Sequence, residues 1–312
     1  MKKVFLWLLV VIVAVSMVAG VATAQEKPKI AIVLKTLAND FWVAMKEGIE
    51  AEAKIKGYAV DIFAVASEAD IEGQLKLLEV ALVKDYKGIG VAPISPVNLI
   101  PGIVKANAKG IPVVNIDERV DPTELKNAGG YIIAYVTTDN FAVGQKGATF
   151  IVGQLGADGG KVAIIEGMAG NASGNDRKDG ASDIFGKNPN IKLVASQPAD
   201  WDRVRALDVA TNIIQGNPDL KAFYCCNDTM ALGALEAVKA SKKQIIVVGT
   251  DGIPEAVASV KAGEMGATVA QDPAKVGATS YDILVDAIEK NLKGSLDAKP
   301  AFVSVDSLLI TK

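Results

Sequence analysis

The sequence predicts an α/β protein of two Rossmann-like, doubly wound lobes, each a parallel sheet covered by helices on both faces. Three observations carry that prediction. Apolar, β-rich runs of strand length alternate with stretches of helical periodicity. The strands are continuously apolar, as in sheets buried on both faces. The alternation then starts afresh after Thr138, and the segments that follow the second set are too few to form a third unit.

In chain order, Ile30–Lys35 reads as the first strand and Phe41–Lys56 as a helix with apolar positions at helical spacing. Strand Tyr58–Phe63, helix Asp70–Lys84, strand Gly88–Ala92, helix Asn98–Ala108 and strand Pro112–Ile116 continue the first set. Glu124–Gly130 reads as a covered connection. The second set comprises a helix from Phe141, strand Lys161–Ile165, helix Asp176–Phe185, strand Ile191–Pro198 and helix Asp202–Gln215. Strand Lys221–Cys226, helix Thr229–Ala240 and strand Ile245–Thr250 complete it. Glu255–Ala262, Ala267–Ala270, Ala278–Lys290 and one closing strand near Phe302–Thr311 return to one or both lobes.

Lys2 and Lys3 precede an apolar run, Val4–Val18, broken only by Ser16, and Ala22-Thr23-Ala24 supplies the small residues of a cleavage site. This pattern predicts an export signal, residues 1–24, cleaved after Ala24; an uncleaved anchor is the alternative. No cysteine lies near the cut to carry a lipid, so a free protein in the periplasm is expected. Removal of residues 1–24 leaves 288 residues and, with Lys2 and Lys3 gone, moves the formal charge from −3 to −5. That length suffices for two domains. The mild acidity offers no general attraction for nucleic acid or anionic lipid.

The chain contains no histidine. This removes the commonest general base, the Ser-His-Asp and Cys-His arrangements and the usual transition-metal ligand. Carboxylate chemistry stays open, but no enzyme, cofactor or metal is expected. Cys225 and Cys226 are adjacent and cannot close a long loop; they read as two buried thiols or, alternatively, a strained vicinal disulfide.

Ligands of doubly wound sheets collect at the carboxyl ends of the strands. The residues that follow the predicted strands are Lys35 and Asn39 with Phe41 and Trp42, then Asp117 and Glu118, then Asn171–Arg177, Asp200 and Trp201, Asn227 and Asp228, Asp251 and Gln271. This mixture of planar amides, charges and flat rings suits carbohydrate. Hydroxyls donate and accept at once, so carboxylates, amides and arginine pair with them, while the C–H faces of a sugar stack on rings. Trp42 and Trp201, the two tryptophans left after cleavage, both fall in this set.

Each residue has a plainer reading. Asn39 and Asp40 suit helix caps, Trp42 core packing, Asp117, Asn227 and Asp251 caps or turns, and Arg177 a surface position. Their coincidence at one edge of the predicted sheets favours a site. The glycine-rich stretch Gly167–Gly174 lacks the Gly-Lys-Ser/Thr ending of a phosphate loop, and Gly88-Ile89-Gly90 lacks the third glycine of a dinucleotide fingerprint. Asp117-Glu118 as paired hydrolytic acids is weakened because neighbouring residues at a strand end alternate faces.

Six stretches, KTLANDFW (35–42), VNID (114–117), QPADWDR (197–203), CNDTMA (226–231), VGTDGIP (248–254) and AQDP (270–273), run in this order through the chain. In these the sequence resembles the periplasmic sugar-binding proteins of the ribose and galactose type. The resemblance implies the type I periplasmic binding protein fold, with three hinge crossings near Val136–Asp139, Ala270–Pro273 and Lys299–Phe302. Residues 25–137 plus 272–299 would form the N-terminal lobe, and 138–271 plus 300–312 the C-terminal lobe.

It further implies a monosaccharide ligand, D-allose or a close hexose, and an ABC-type permease as partner. Lys35, Asn39, Phe41, Trp42, Asp117 and Glu118 would form one wall; Arg177, Trp201, Asn227, Asp251 and Gln271 would form the other wall and the hinge. Phe41, Trp42 and Trp201 would sandwich the sugar ring. Two departures matter: Glu118 stands where ribose binders carry arginine, and Asp40 where the motif usually has proline. A monomer is expected. A sensory receptor docking to a chemoreceptor is the alternative role, and a secreted sugar enzyme a third. A repressor of similar fold would need a basic DNA-binding segment that the chain lacks.

Overall fold

The structure, a computed structural model, describes residues 28–312; the predicted export signal and its cleavage point lie outside the described residues. Two six-stranded sheets organise them. The first contains β1 (Lys29–Thr36), β2 (Ala59–Val65), β3 (Tyr86–Val91), β4 (Val113–Ile116), β5 (Ala134–Thr138) and the late β11 (Ala301–Val305). The second contains β6 (Gly160–Glu166), β7 (Ile191–Pro198), β8 (Leu220–Cys225), β9 (Ile246–Asp251), β10 (Ala267–Ala270) and β12 (Leu308–Thr311). Their orders, β2-β1-β3-β4-β5-β11 and β7-β6-β8-β9-β10-β12, match position for position. Every pairing is parallel except β12 against β10.

Burial explains the unbroken apolar strands. Ile30 to Leu34 of β1 and Val162 to Ile165 of β6 have no exposed surface, because helices cover both faces. The first sheet carries α1 (Asp40–Lys56), α2 (Ile71–Leu82), α3 (Ile100–Ala108), α4 (Pro122–Asn127) and the late α10 (Pro273–Glu289), which packs on α1. The second carries α5 (Asn140–Leu155), α6 (Ala172–Lys187), α7 (Arg203–Gly216), α8 (Asp228–Ser241) and α9 (Pro254–Ala262). Cys225 and Cys226 are free thiols buried in the second core.

Five elements depart from expectation. β5 was not foreseen: its Tyr135, Thr137 and Thr138 dilute the apolar signal, and only pairing with β4 and β11 defines it. The expected single closing strand is two. Ala301–Val305 registers with β5 of the first sheet, and Leu308–Thr311 with β10 of the second. The third crossing therefore falls at residues 306–307, and residues 301–305 join the first lobe rather than the second. The other crossings lie at 139, between β5 and α5, and at 271–272, between β10 and α10.

Helix α6 starts at Ala172, before the expected Asp176, because the Asn171 side chain caps it by accepting from the Gly174 N–H. Helix α10 starts at Pro273, capped by Asp272, and not at Ala278. Within Glu124–Gly130, expected as a connection, the chain forms the last part of the short α4.

Candidate functional site

The carboxyl ends of both sheets meet at one cavity. Lys35, Asn39, Phe41, Trp42, Asp117, Glu118, Arg177, Trp201, Asn227 and Asp251 all line it. Gln271 does not; its Nε2 donates to Asp251 Oδ1 at 2.7 Å from behind.

Caps hold both asparagines. Asn39 Oδ1 accepts from the Phe41 N–H at 2.9 Å, and Asn227 Oδ1 from the Met230 N–H at 2.8 Å. The capping reading and the lining reading are therefore both true, since each cap occupies the amide oxygen and leaves the NH2 group out of that bond. Trp42 likewise belongs to the first core while lining the cavity. It meets Phe41 edge to face at 5.1 Å.

Asp117, Trp201 and Asp251 have φ of 56°, 62° and 117°, half of the non-glycine residues with positive φ among the described residues. Such backbone costs about 1–3 kcal/mol per residue and persists where the surroundings over-determine it. Here β-sheet pairing and buried hydrogen bonds do so. The Asp117 N–H donates to Val136 at 2.7 Å, and its carbonyl accepts from Tyr135 and Thr137 at 2.9 and 2.8 Å. Asp228, wholly buried, holds the turn after Asp251 by accepting from the Gly252 and Ile253 N–H groups at 2.7 and 3.0 Å.

Glycine makes room on the second wall. A Cβ on Gly167 would lie 2.1 Å from the Trp201 ring, so the glycine-rich loop cradles an indole rather than a phosphate. Where α5 crosses α6, a Cβ on Gly144 would fall 2.0 Å from the Arg177 carbonyl oxygen, so close helix packing sets the position of Arg177.

Arg177 is nearly enclosed. Its Nε donates to Asn140 Oδ1 at 2.9 Å, and its Nη1 to the Cys226 carbonyl at 2.7 Å and to Asp251 Oδ1 at 3.2 Å. The guanidinium also lies 5.9 Å from the Trp201 ring centre. Burial disfavours its charge, but Asp251 and the lesser contributions of Asp117 and other neighbours together outweigh that and raise its pKa. Burial lifts Asp251 to about 6 against the pull of Arg177.

The neighbouring acids Asp117 and Glu118 diverge. Burial pushes Asp117 up to about 7, with the Glu118 charge adding and Arg177 and Lys35 opposing. Its Oδ1 is buried with no hydrogen-bond partner, as are Trp201 Nε1 and Gln271 Oε1. Burial would also raise Glu118, but Lys35 and the Ser173 hydrogen bonds outweigh it and hold this carboxyl below its usual value. Glu118 accepts from Lys35 Nζ at 3.1 Å, Asn171 Nδ2 at 2.8 Å, the Ser173 N–H at 3.0 Å and Ser173 Oγ at 2.8 Å.

Glu68 and Ser173 also line the cavity and were not among the expected wall residues. Glu68 accepts from Trp42 Nε1 at 3.2 Å and from Lys35 at 3.5 Å. It follows β2 by three residues, so the strand-end rule that found the others also reaches it. Ser173 lies in the loop-to-helix stretch already marked as a strand end. Asn140 had no such signal, because the strand before it was not recognised.

Comparison with known proteins agrees with this architecture. A family described as a periplasmic binding protein domain matches residues 30–292. The D-allose-binding periplasmic protein of Escherichia coli K12 is 58% identical over 90% of this chain and 91% of its own. The ribose import binding protein of Haemophilus influenzae is 34% identical, covering 95% and 94%. Among solved structures, a periplasmic solute-binding protein of an ABC transporter from Actinobacillus succinogenes, with bound D-allose, superposes with a TM-score of 0.85. It is 35% identical, covering 91% of this chain and 98% of that one. A Caulobacter myo-inositol-binding protein gives 0.80 at 31% identity, covering 92% and 93%. With two matched parallel lobes, a lined cavity between them and these likenesses, the chain belongs to the periplasmic binding protein family.

Proposed function

We propose that the chain is a periplasmic receptor that captures one monosaccharide, D-allose before other aldoses, between its lobes and delivers it to an ABC-type permease. The observation that carries this reading is the set of buried polar atoms without partners. Asp117 Oδ1 needs a donor, while Trp201 Nε1–H needs an acceptor. A sugar bearing several hydroxyls answers both needs. Trp42 and Trp201 supply the flat faces, and the NH2 groups of Asn39 and Asn227 add donors. Likeness to the E. coli D-allose-binding protein supports the choice of sugar.

The lobes would close about the crossings at 139, 271–272 and 306–307, because only closure completes the polar set. The mature chain begins at Gln25, acts as a monomer and performs no chemistry on its ligand. Opposite shifts of Asp117 and Glu118 superficially suit an acid and base pair. Both oxygens of the Glu118 carboxylate, however, are already engaged by Lys35, Asn171 and Ser173, which ties the group to the fold.

Titration calorimetry and thermal shift with D-allose, D-ribose and D-glucose test the assignment. Allose should bind most tightly and be recovered unchanged; glucose, with its C3 hydroxyl inverted, should lose roughly tenfold to a hundredfold. At a hundredfold excess over Kd, binding adds about 2.7 kcal/mol to stability. Equal binding of ribose or glucose would sink the specificity, and binding of none would sink the receptor.

A further inference from the structure

We propose that Glu118 clasps the lobes together and sets how tightly every sugar is held, without choosing between sugars. The inference rests on the receptor reading above. Glu118 follows β4 of the first lobe, yet three of its four donors belong to the start of α6 in the second: Asn171 Nδ2, the Ser173 N–H and Ser173 Oγ. The fourth, Lys35, comes from the first lobe. Three of these donors converge on Oε2 and the Ser173 N–H meets Oε1, so both carboxylate oxygens are engaged.

The setting makes the contact strong. Glu118 has no exposed surface, Ser173 is 7% exposed and Asn171 2% exposed. A negative charge at a helix N-terminus meets unpaired N–H groups and the favourable end of the helix dipole. Asn171 already caps the Gly174 N–H, and Glu118 takes the Ser173 N–H, so two first-turn donors are satisfied, one from each lobe. Lys35 balances the buried charge, and Glu68 balances Lys35 in turn. The other ion pair between these stretches, Arg119 to Asp176, spans 3.8 Å between half-exposed side chains and contributes little by comparison.

A clasp acts through the population of the closed form. Apparent affinity scales with that fraction, whichever sugar occupies the cavity. Breaking the clasp should therefore lower all affinities by one factor and act on dissociation, whereas losing a sugar contact changes the ratio between sugars.

The test compares the full mature chain with Glu118→Gln and, on the other lobe, Ser173→Ala, using D-allose and D-ribose. Calorimetry supplies affinities and stopped-flow supplies rates. Glu118→Gln removes the charge that faces Lys35 and, with its oxygen kept toward Lys35 and Asn171, places an NH2 group against the Ser173 N–H. It should weaken both sugars about tenfold or more by faster release, with their ratio unchanged within twofold. Ser173→Ala should give a smaller loss in the same pattern, and the double variant should lose less than the two combined.

A ratio shifted more than threefold would make Glu118 a sugar contact and overturn the proposal, as would unchanged affinities. If Glu118→Gln does not fold, Ser173→Ala decides by the same criteria. If the wild-type chain binds neither sugar, the receptor reading fails. The clasp is then judged by scattering without sugar, where a larger radius of gyration for the variant supports it and an identical one overturns it.

Discussion

The two walls of the cavity handle buried acids in different ways. On the second wall, Asp251 is held by Arg177 and Gln271 in a network that reaches Asn140, the Cys226 carbonyl and the Trp201 ring. On the first wall, the Asp117 backbone is pinned by Tyr135 and Thr137 while its Oδ1 has no partner. Both carboxyls are raised by burial, to about 6 and about 7. The second wall is thus a prearranged surface, whose value is orientation. The first is an acceptor fixed in place, whose value depends on what donates to it.

The largest effect should come from the network. Asp251→Ala leaves Arg177 without its charge partner, and breaking one side of a buried pair costs about 3–5 kcal/mol. Sugar affinity should fall more than a hundredfold and the melting temperature should drop, by calorimetry and thermal unfolding. A small effect on both would make the second wall no more organised than the first.

Asp117→Asn should cost about tenfold to a hundredfold in affinity. It also separates the walls by pH. A hydroxyl donates to the carboxylate, so wild-type affinity should fall as pH drops through about 7, the raised value for Asp117. Stability has the opposite sign. The native state holds protons on Asp117 at pH values where the unfolded chain has released them, so this group's contribution declines as pH rises from about 4 to 7. In Asp117→Asn both slopes should flatten. Slopes equal to wild type would remove Asp117 from the site.

Gly167→Ala probes the ring on the second wall. The added methyl would sit 2.1 Å from Trp201, so the indole must move, and affinity should fall about tenfold while Asp251 and Arg177 stay paired. Unchanged affinity would mean that this ring carries no binding.

The smallest effect on binding is expected behind the second wall. The thiols of Cys225 and Cys226 are buried, and burial raises Cys226 to about 12 and Cys225 well above its usual value, so labelling of the folded protein should be slow. The double change to Ala should lower stability by about 1–3 kcal/mol and leave sugar affinity within a few-fold. The Cys226 carbonyl that meets Arg177 belongs to the backbone and survives the change. A large loss of affinity in a folded variant would extend the network to the side chains.

Much of this was legible in the chain. Two-faced burial writes itself as unbroken apolar runs, so β1, β6 and their helices were found from periodicity. Ten of the expected site residues line the cavity because strand ends are where this architecture gathers polar groups. β5 was not legible, since a short strand rich in hydroxyls gains its identity from its neighbours. The split of the last strand pair at 306–307 was hidden for the same reason: both halves look extended, and pairing alone assigns them to different sheets.

Side-chain roles were legible only in part. Residue type marks Asp117, Glu118, Arg177 and Asp251 as polar groups at strand ends, and that much follows from the chain alone. Whether a carboxylate is engaged on both oxygens, as in Glu118, or left with an unpaired oxygen, as in Asp117, depends on groups that arrive from distant segments. Periodicity and propensity act between neighbours along the chain. Hydrogen-bond saturation and desolvation are properties of a closed space, which exists once the two lobes have met.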